Sequence, residues 1–154
     1  MRLYRLTPKA SAADAFSGEG SRRFGGRWSL KGTPVVYASN SPALAALEAL
    51  VHFKRATAPL HYLYTVEVPD GAITDLKPLP AGWDDEEFAP TGPSCIAGSL
   101  WAASQRSLAL LVPSAVVQVD SYNVILNLLH PDFRSLKPSK PKRFTFDSRL
   151  VRHK

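Results

Sequence analysis

Two stretches of this 154-residue chain carry side chains whose types and spacing could do chemistry. The first, GEGSRRFGGRW from Gly18 to Trp28, packs four glycines, three arginines and two aromatics into eleven positions. Glycine lets a backbone approach a ligand closely and take positive φ, and arginine offers a planar fork of donors matched to phosphate oxygens. The combination reads as a phosphate cradle, or as a glycine-rich connection with its arginines in solvent. It is not a known nucleotide fingerprint. No Gly-Lys-Ser or Gly-Lys-Thr follows, and Arg23 stands where the third glycine of G-x-G-x-x-G belongs.

The second stretch centres on Glu48, in a helical run whose apolar stripe passes through Leu44, Leu47 and Val51. Glu48 falls at the edge of that stripe, one turn after Leu44 and one turn before His52. A carboxylate at such an edge is partly desolvated, a setting that recurs at catalytic sites; the alternative is a rim glutamate paired with Arg55. Tyr37 shares a strand face with Val35 and either projects into a pocket or packs. Other chemistries find less support. His52, His61, His130 and His153 are scattered and Cys95 is the single cysteine, so no metal site is expected. Ser114, in Val-Pro-Ser-Ala-Val, lacks the glycines of a nucleophile elbow and reads as a turn residue at a strand break. Tyr62 with Tyr64 is a thin version of an RNA-binding sheet.

The elements that must position these residues follow from periodicity and punctuation. Leu3 to Leu6 reads as an opening strand, Ser11 to Phe16 as a helical turn, and Gly18 to Trp28 as a loop. Thr33 to Ala38 is β-rich. Ser41 then offers an N-cap with Pro42 at the first helical position, opening a helix over Ala43 to Lys54. Tyr62 to Val68 alternates and predicts a strand ending at Pro69-Asp70-Gly71. Gly82 to Gly92 reads as an acidic loop and Ser94 to Ser104 as a helix carrying Trp101. Ser107 to Val119 reads as a hairpin or bent strand broken at Pro113-Ser114, and Asn123 to Leu128 with Phe144 to Phe146 closes the sheet. Strands outnumber helices and do not alternate with them, so the expected class is α+β with mixed or antiparallel sheets and flanking helices.

With 45% hydrophobic and 21% charged residues, the chain is expected to form one globular domain that buries roughly 70% of its unfolded surface. The uncharged stretch Leu108 to Val119, which contains Pro113 and Gln118, falls well short of the ~20 apolar residues of a membrane span. Met1 leads into Arg2, Tyr4 and Arg5 without an apolar leader, so a cytoplasmic protein is expected. The net charge of +6 is unevenly placed. Residues 1–60 carry nine Lys or Arg against three acids, 61–133 two against nine, and 134–154 eight against one. The acidic middle, including Asp84 to Glu87, would repel a polyanion, whereas a small anionic ligand in an arginine-lined pocket fits. Residues 134–143 could be a solvated basic segment.

The run SGEGSRRFGGRWSLKGTPVVYASNSPALAALEALVH (Ser17 to His52), with LVPSAVV at Leu111 to Val117 and HPDF at His130 to Phe133, resembles the RES domain, named for its arginine, glutamate and serine. The resemblance covers nearly the whole chain, 1–154 as one RES-like domain. It maps the family's arginine, tyrosine and glutamate onto Arg27, Tyr37 and Glu48, its serine onto Ser114, and an early arginine onto Arg5. It implies a bacterial toxin of a toxin-antitoxin pair, with a fold similar to ADP-ribosyltransferases, that consumes NAD+. The acceptor is implied to be water, inorganic phosphate or the side chain of a protein target. The implied partner is an antitoxin with an Xre-like helix-turn-helix domain, which binds the DNA in place of the toxin and is expected to occlude the active site.

In that reading Glu48 stabilises the positive charge that builds on the ribose as nicotinamide leaves. Arg27 and Arg5 hold the diphosphate, Tyr37 stacks on the nicotinamide ring, and Ser114 hydrogen-bonds the carboxamide or ribose. Two readings from other classes stand beside it: a basic nucleic-acid-binding module without catalysis, and a non-catalytic partner-binding domain.

Overall fold

Both faces of the central sheet are covered, as the consecutive buried residues of its middle strands, 35–36, 38–39 and 124–127, demand. Among the described residues, which are 1–53, 60–85 and 90–151 of this computed structural model, seven strands and five helices follow in chain order. They are β1 (Arg2–Thr7), α1 (Ala12–Ala15), α2 (Glu19–Phe24), β2 (Val35–Ser39), α3 (Pro42–Leu50), β3 (His61–Glu67), β4 (Ile73–Asp75), α4 (Pro93–Ser104), β5 (Ala109–Pro113), β6 (Tyr122–Asn127), β7 (Lys142–Phe144) and α5 (Ser148–Val151). The sheet order is β4-β5-β6-β2-β1-β3-β7, antiparallel except for the parallel β4-β5 pair. This is the α+β class with a mixed sheet.

Side chains alternate across a strand, so β2 sends Val36 and Ala38 to one face and Val35, Tyr37 and Ser39 to the other. The first pair joins Leu3, Phe16, Tyr64, Val66, Val124 and Leu126 in one core. Val35 joins Trp28, Trp101, Leu110, Val112 and Ile125 in a second core on the opposite face, with Tyr37 against it. α4 seals this second core, and Gly98 is what lets it do so: a Cβ there would lie 1.9 Å from the Trp28 carbonyl oxygen.

Two seams matter for function. β1 pairs with β3 along six residues but meets β2 only at Tyr4 and Ser39. The guanidinium of Arg5 fills the opening, Nη1 donating to the Tyr37 carbonyl at 2.7 Å and Nε to the Ala15 carbonyl at 2.7 Å. Between β5 and β6, the Ser114 amide donates to the Ser121 carbonyl at 2.9 Å, which closes the intervening loop.

Several sequence expectations change. Gly18 to Trp28 is not simply a loop, because α2 occupies its first half. Gly18 precedes it with φ 68° and Gly25 follows with φ 72°, left-handed conformations that suit glycine at both ends. The Ser21 hydroxyl ties this helix to β2, accepting from the Val35 amide at 2.9 Å. Ser107 to Val119 is not a hairpin of its own: only Ala109–Pro113 is a strand, and its partner is β6. The Val116 and Val117 amides are taken by Ser114 Oγ, so they cannot join a ladder. At the C-terminus the strand is Lys142–Phe144, and Phe146 turns away into an aromatic group with Phe53, His61 and Phe144.

α3 begins as expected, with Ser41 Oγ accepting from the Leu44 amide at 3.1 Å and Pro42 in the first turn. Its packed face is rotated from the expected stripe. Leu44 and Ala45 are buried, whereas Leu47 and Val51 are 37% and 58% exposed. The rotation turns Glu48 toward the β5-β6 end of the sheet. Lys54, the end of the expected helix, and Arg55, the alternative partner of Glu48, lie outside the described residues, as do Glu86, Glu87 and His153. The basic 134–143 segment keeps its lysine side chains in solvent, while its backbone joins the sheet. The Ser139 amide donates to the Thr65 carbonyl at 2.8 Å, and Lys142 and Arg143 pair with Leu63 and Tyr62. No helix among the described residues is long and apolar enough to cross a membrane.

Candidate active site

Glu48 sits one and a half turns into α3, and two donors converge on one of its oxygens. Ser114 Oγ donates to Oε1 at 2.7 Å and Asn123 Nδ2 at 2.5 Å. Both donors are themselves fixed. Ser114 is fully buried and its Oγ accepts from the Val116 and Val117 amides, each at 3.1 Å, so its single proton is directed at Glu48. Asn123 Oδ1 accepts from Ser39 Oγ at 2.7 Å. If the amide were reversed, two acceptors would face each other across the short Glu48 contact. Among the described residues Oε2 has no hydrogen-bond partner, and since no buried side-chain oxygen there lacks one, it opens to solvent.

Tyr37 and Arg5 form a second group. They line a cavity of about 450 Å³ at the β1-β2 seam, together with the cations Lys9 and Arg23, the acids Asp14 and Glu19, and Ser17 and Ser21. Small-molecule sites span roughly 300–1,000 Å³. Two nitrogens of Arg5 are spent on carbonyls, and by the same argument Nη2 opens toward the cavity. Burial pushes the Arg5 pKa down to about 10, which leaves it a cation at neutral pH with only carbonyls as its hydrogen-bond partners. A cation held in this way has strong residual demand for an anion. Burial also pushes the Tyr37 hydroxyl up to about 12, against the lowering effect of its hydrogen bonds. That hydroxyl accepts from the Trp28 amide at 3.1 Å and shares a 2.8 Å hydrogen bond with Ser29 Oγ. Its ring rests against Gly26, where a Cβ would lie 2.7 Å from the tyrosine oxygen.

Arg27 is placed differently. Its Nη1 donates to the carbonyls of Trp83 at 2.6 Å and Asp85 at 2.8 Å, so it clamps the 82–85 turn, whose Trp83 ring stacks on Trp28 at 5.9 Å. It is near enough to Tyr37 for its charge to act on the phenol. The five expected site residues therefore fall into linked groups. Glu48 and Ser114 touch, Arg5 and Tyr37 touch, and Arg27 joins them through the Trp28 backbone that Tyr37 holds. Ser39, two residues beyond Tyr37 on the same face, connects the cavity side to Glu48 through Asn123. Arg27, Glu48 and Ser114 do not line the cavity itself.

Ser39 and Asn123 were not singled out by the sequence reading. A signal existed: both are polar residues on strand positions whose neighbours on the same face, Val35 and Ile125, are buried and apolar. Among the described residues, His, Cys, Asp and Glu side chains nowhere gather into a group that could hold a metal ion.

An α+β fold with a mixed seven-stranded sheet is the class to which comparison with known proteins also leads. The RES domain model matches residues 2–147, and the chain belongs to that family. It is 42% identical over 147 residues to the "Prs ADP-ribosylating toxin" of Sphingobium sp. strain YBL2, covering 91% of this chain and 89% of that protein. It is 38% identical to a "Toxin Res" of Photorhabdus laumondii, covering 100% of this chain and 99% of the relative. A "Toxin Res" of Yersinia enterocolitica is 36% identical, with 97% and 99% covered. Among solved structures, the M. tuberculosis MbcT-MbcA toxin-antitoxin complex contains a chain of the same fold, at TM-score 0.72 and 23% identity, covering 97% of this chain and 86% of that one.

Proposed function

We propose that the chain is the toxin of a toxin-antitoxin pair and that it cleaves the bond between nicotinamide and ribose in NAD+. One observation carries the reading: a carboxylate held at Oε1 by two oriented donors and open at Oε2, on the sheet face that leads through Ser39 and Tyr37 to an arginine-lined cavity. Breaking the N-glycosidic bond releases neutral nicotinamide and leaves positive charge on the ribose ring. A carboxylate already fixed in place stabilises that charge more than the ground state. Arg5 offers its open Nη2 to the diphosphate. Tyr37, neutral well above physiological pH, offers a ring face to the nicotinamide, whose loss of positive charge an anionic phenolate there would oppose. Arg27, which holds the 82–85 turn through Nη1, is assigned to the diphosphate by the family resemblance.

The acceptor is water, phosphate or a protein side chain. The name of the Sphingobium relative favours transfer of ADP-ribose over hydrolysis. The partner is an antitoxin, of Xre-like type by the family resemblance. The test is direct: purified protein is incubated with NAD+, with and without inorganic phosphate, and free nicotinamide is followed. Release in either condition supports cleavage, and ADP-ribose, ADP-ribose 1″-phosphate or modified protein names the acceptor. No release by folded protein freed of its partner overturns the reading.

A further inference from the structure

We infer that Asn123 is a positioning residue for Glu48, and that it works with Ser114 to reserve Oε1 for anchoring, so that Oε2 is the oxygen that meets the substrate. The inference rests on the NAD+ reading for what Oε2 acts upon, and on the hydrogen-bond geometry for how it is presented. Two donors on one carboxylate oxygen are unusual in their division of labour. Were they spread over both oxygens, each would keep one lone pair and neither would be wholly free for the ribose. With both on Oε1, the group is pinned against rotation and Oε2 keeps its full acceptor capacity.

The donors come from two strands of the sheet, and each is oriented by a further partner. Ser114 lies just beyond β5 and is turned by the Val116 and Val117 amides. Asn123 lies on β6 and is turned by Ser39 of β2. The anchor is therefore built on the rigid sheet, and only Glu48 comes from the helix. This assigns Ser114 to Glu48 and away from the substrate, because its one hydroxyl proton cannot serve both. Asn123 acts through Glu48, touching neither ribose nor nicotinamide.

The experiment is a double-mutant cycle on nicotinamide release. Asn123→Ala should lower kcat about 10- to 100-fold, the usual effect of losing an orienting partner, with the KM for NAD+ changed less than about threefold. In the Glu48→Gln background the same substitution should change kcat less than about twofold, because its route of action is already gone. Ser39→Ala, which keeps the amide but releases it, should lower kcat about 3- to 10-fold and guards against a folding defect in Asn123→Ala. Equal losses in both backgrounds, or a raised KM at unchanged kcat, would overturn the assignment. A second measurement needs no turnover. The side-chain amide proton of Asn123 that faces Glu48 should resonate downfield of an ordinary asparagine and return to the usual position in Glu48→Ala. An amide that does not move overturns the anchoring, whereas an amide that moves in a protein releasing no nicotinamide leaves the anchoring standing and removes the NAD+ reading alone.

Discussion

Glutamine at position 48 keeps an acceptor for Ser114 and Asn123 while removing the charge, so Glu48→Gln separates folding from chemistry. Nicotinamide release should fall at least ~100-fold, the scale of a positioned electrostatic or acid-base term, and the thermal midpoint should stay near the wild-type value. A variant that retains most of its activity would place Glu48 outside the chemistry. Tyr37 gives a second test at this scale. Its folded pKa, about 12, lies above the ordinary value of about 10, so the native protein keeps a proton that the unfolded chain gives up between those pH values. Its contribution to stability is fully present below pH ~10 and is lost as pH rises to about 12. Arg5 has the opposite sign. Its folded pKa of about 10 lies below the ordinary 12.5, so stability from that group rises with pH over that window. Tyr37→Phe should therefore remove the descending contribution only. Urea unfolding at pH 9, 10.5 and 11.5 should show a smaller alkaline loss in the variant than in the wild type. In an ultraviolet titration, one phenol titrating near pH 12 should disappear.

Among the elements, the contact of α4 with the Trp28 backbone is the least forgiving. A methyl group at residue 98 would sit 1.9 Å from a carbonyl oxygen, so either α4 or the segment carrying Arg27, Trp28 and Ser29 must shift. Gly98→Ala should cost about 1–3 kcal/mol of stability or more, read by denaturant unfolding, and should weaken nicotinamide release by moving the loop that Tyr37 holds. Wild-type stability in Gly98→Ala would show that the helix can retreat without cost. How much of this was legible in the sequence depends on the range of the forces involved. The Ser41-Pro42 start of α3, the alternation of β3 and the extent of α4 are local signals and could be read directly. α2 could not, because Gly20 interrupts it, its Gly18 cap has no side chain, and its tie to β2 runs through Ser21. β4 is three residues long and exists through its parallel pairing with β5. The rotation of α3, which leaves Leu47 exposed and turns Glu48 inward, is set by partners 66 and 75 residues away, Ser114 and Asn123. No periodicity within the helix encodes that. The residue types at the site were legible, whereas their division into an anchor at Glu48 and a cavity at Arg5 belongs to the tertiary structure.

Over the whole molecule, the charge segregation decides between partners. Of the C-terminal cations, Lys142 and Arg143 lie on β7, at the edge of the sheet, while the strands from β3 to β6 belong to the acidic stretch of the chain. A duplex-binding protein would show steep salt dependence from many phosphate contacts. This chain alone should instead bind DNA weakly, if the DNA-binding part of the pair is the antitoxin. A gel-shift series across salt concentrations checks this, and tight salt-sensitive binding by the lone protein would favour the nucleic-acid reading. The same charges bear on how a partner would silence the proposed activity. On the NAD+-consuming reading the protein must be covered in the cell that makes it, and its cavity presents Arg5, with an open guanidinium nitrogen, beside an Arg23 that Glu19 also holds. A carboxylate-bearing segment of the antitoxin could occupy that position as the diphosphate would, gaining charge-assisted hydrogen bonds in a desolvated setting. Occlusion then predicts that trimming this segment restores nicotinamide release even in a pair that still co-purifies. It also predicts that Arg5→Met lowers the affinity of the intact antitoxin as well as that for NAD+, because both use the same cation. Inhibition that persists in full with the trimmed but bound partner would instead place the silencing contact on a remote surface.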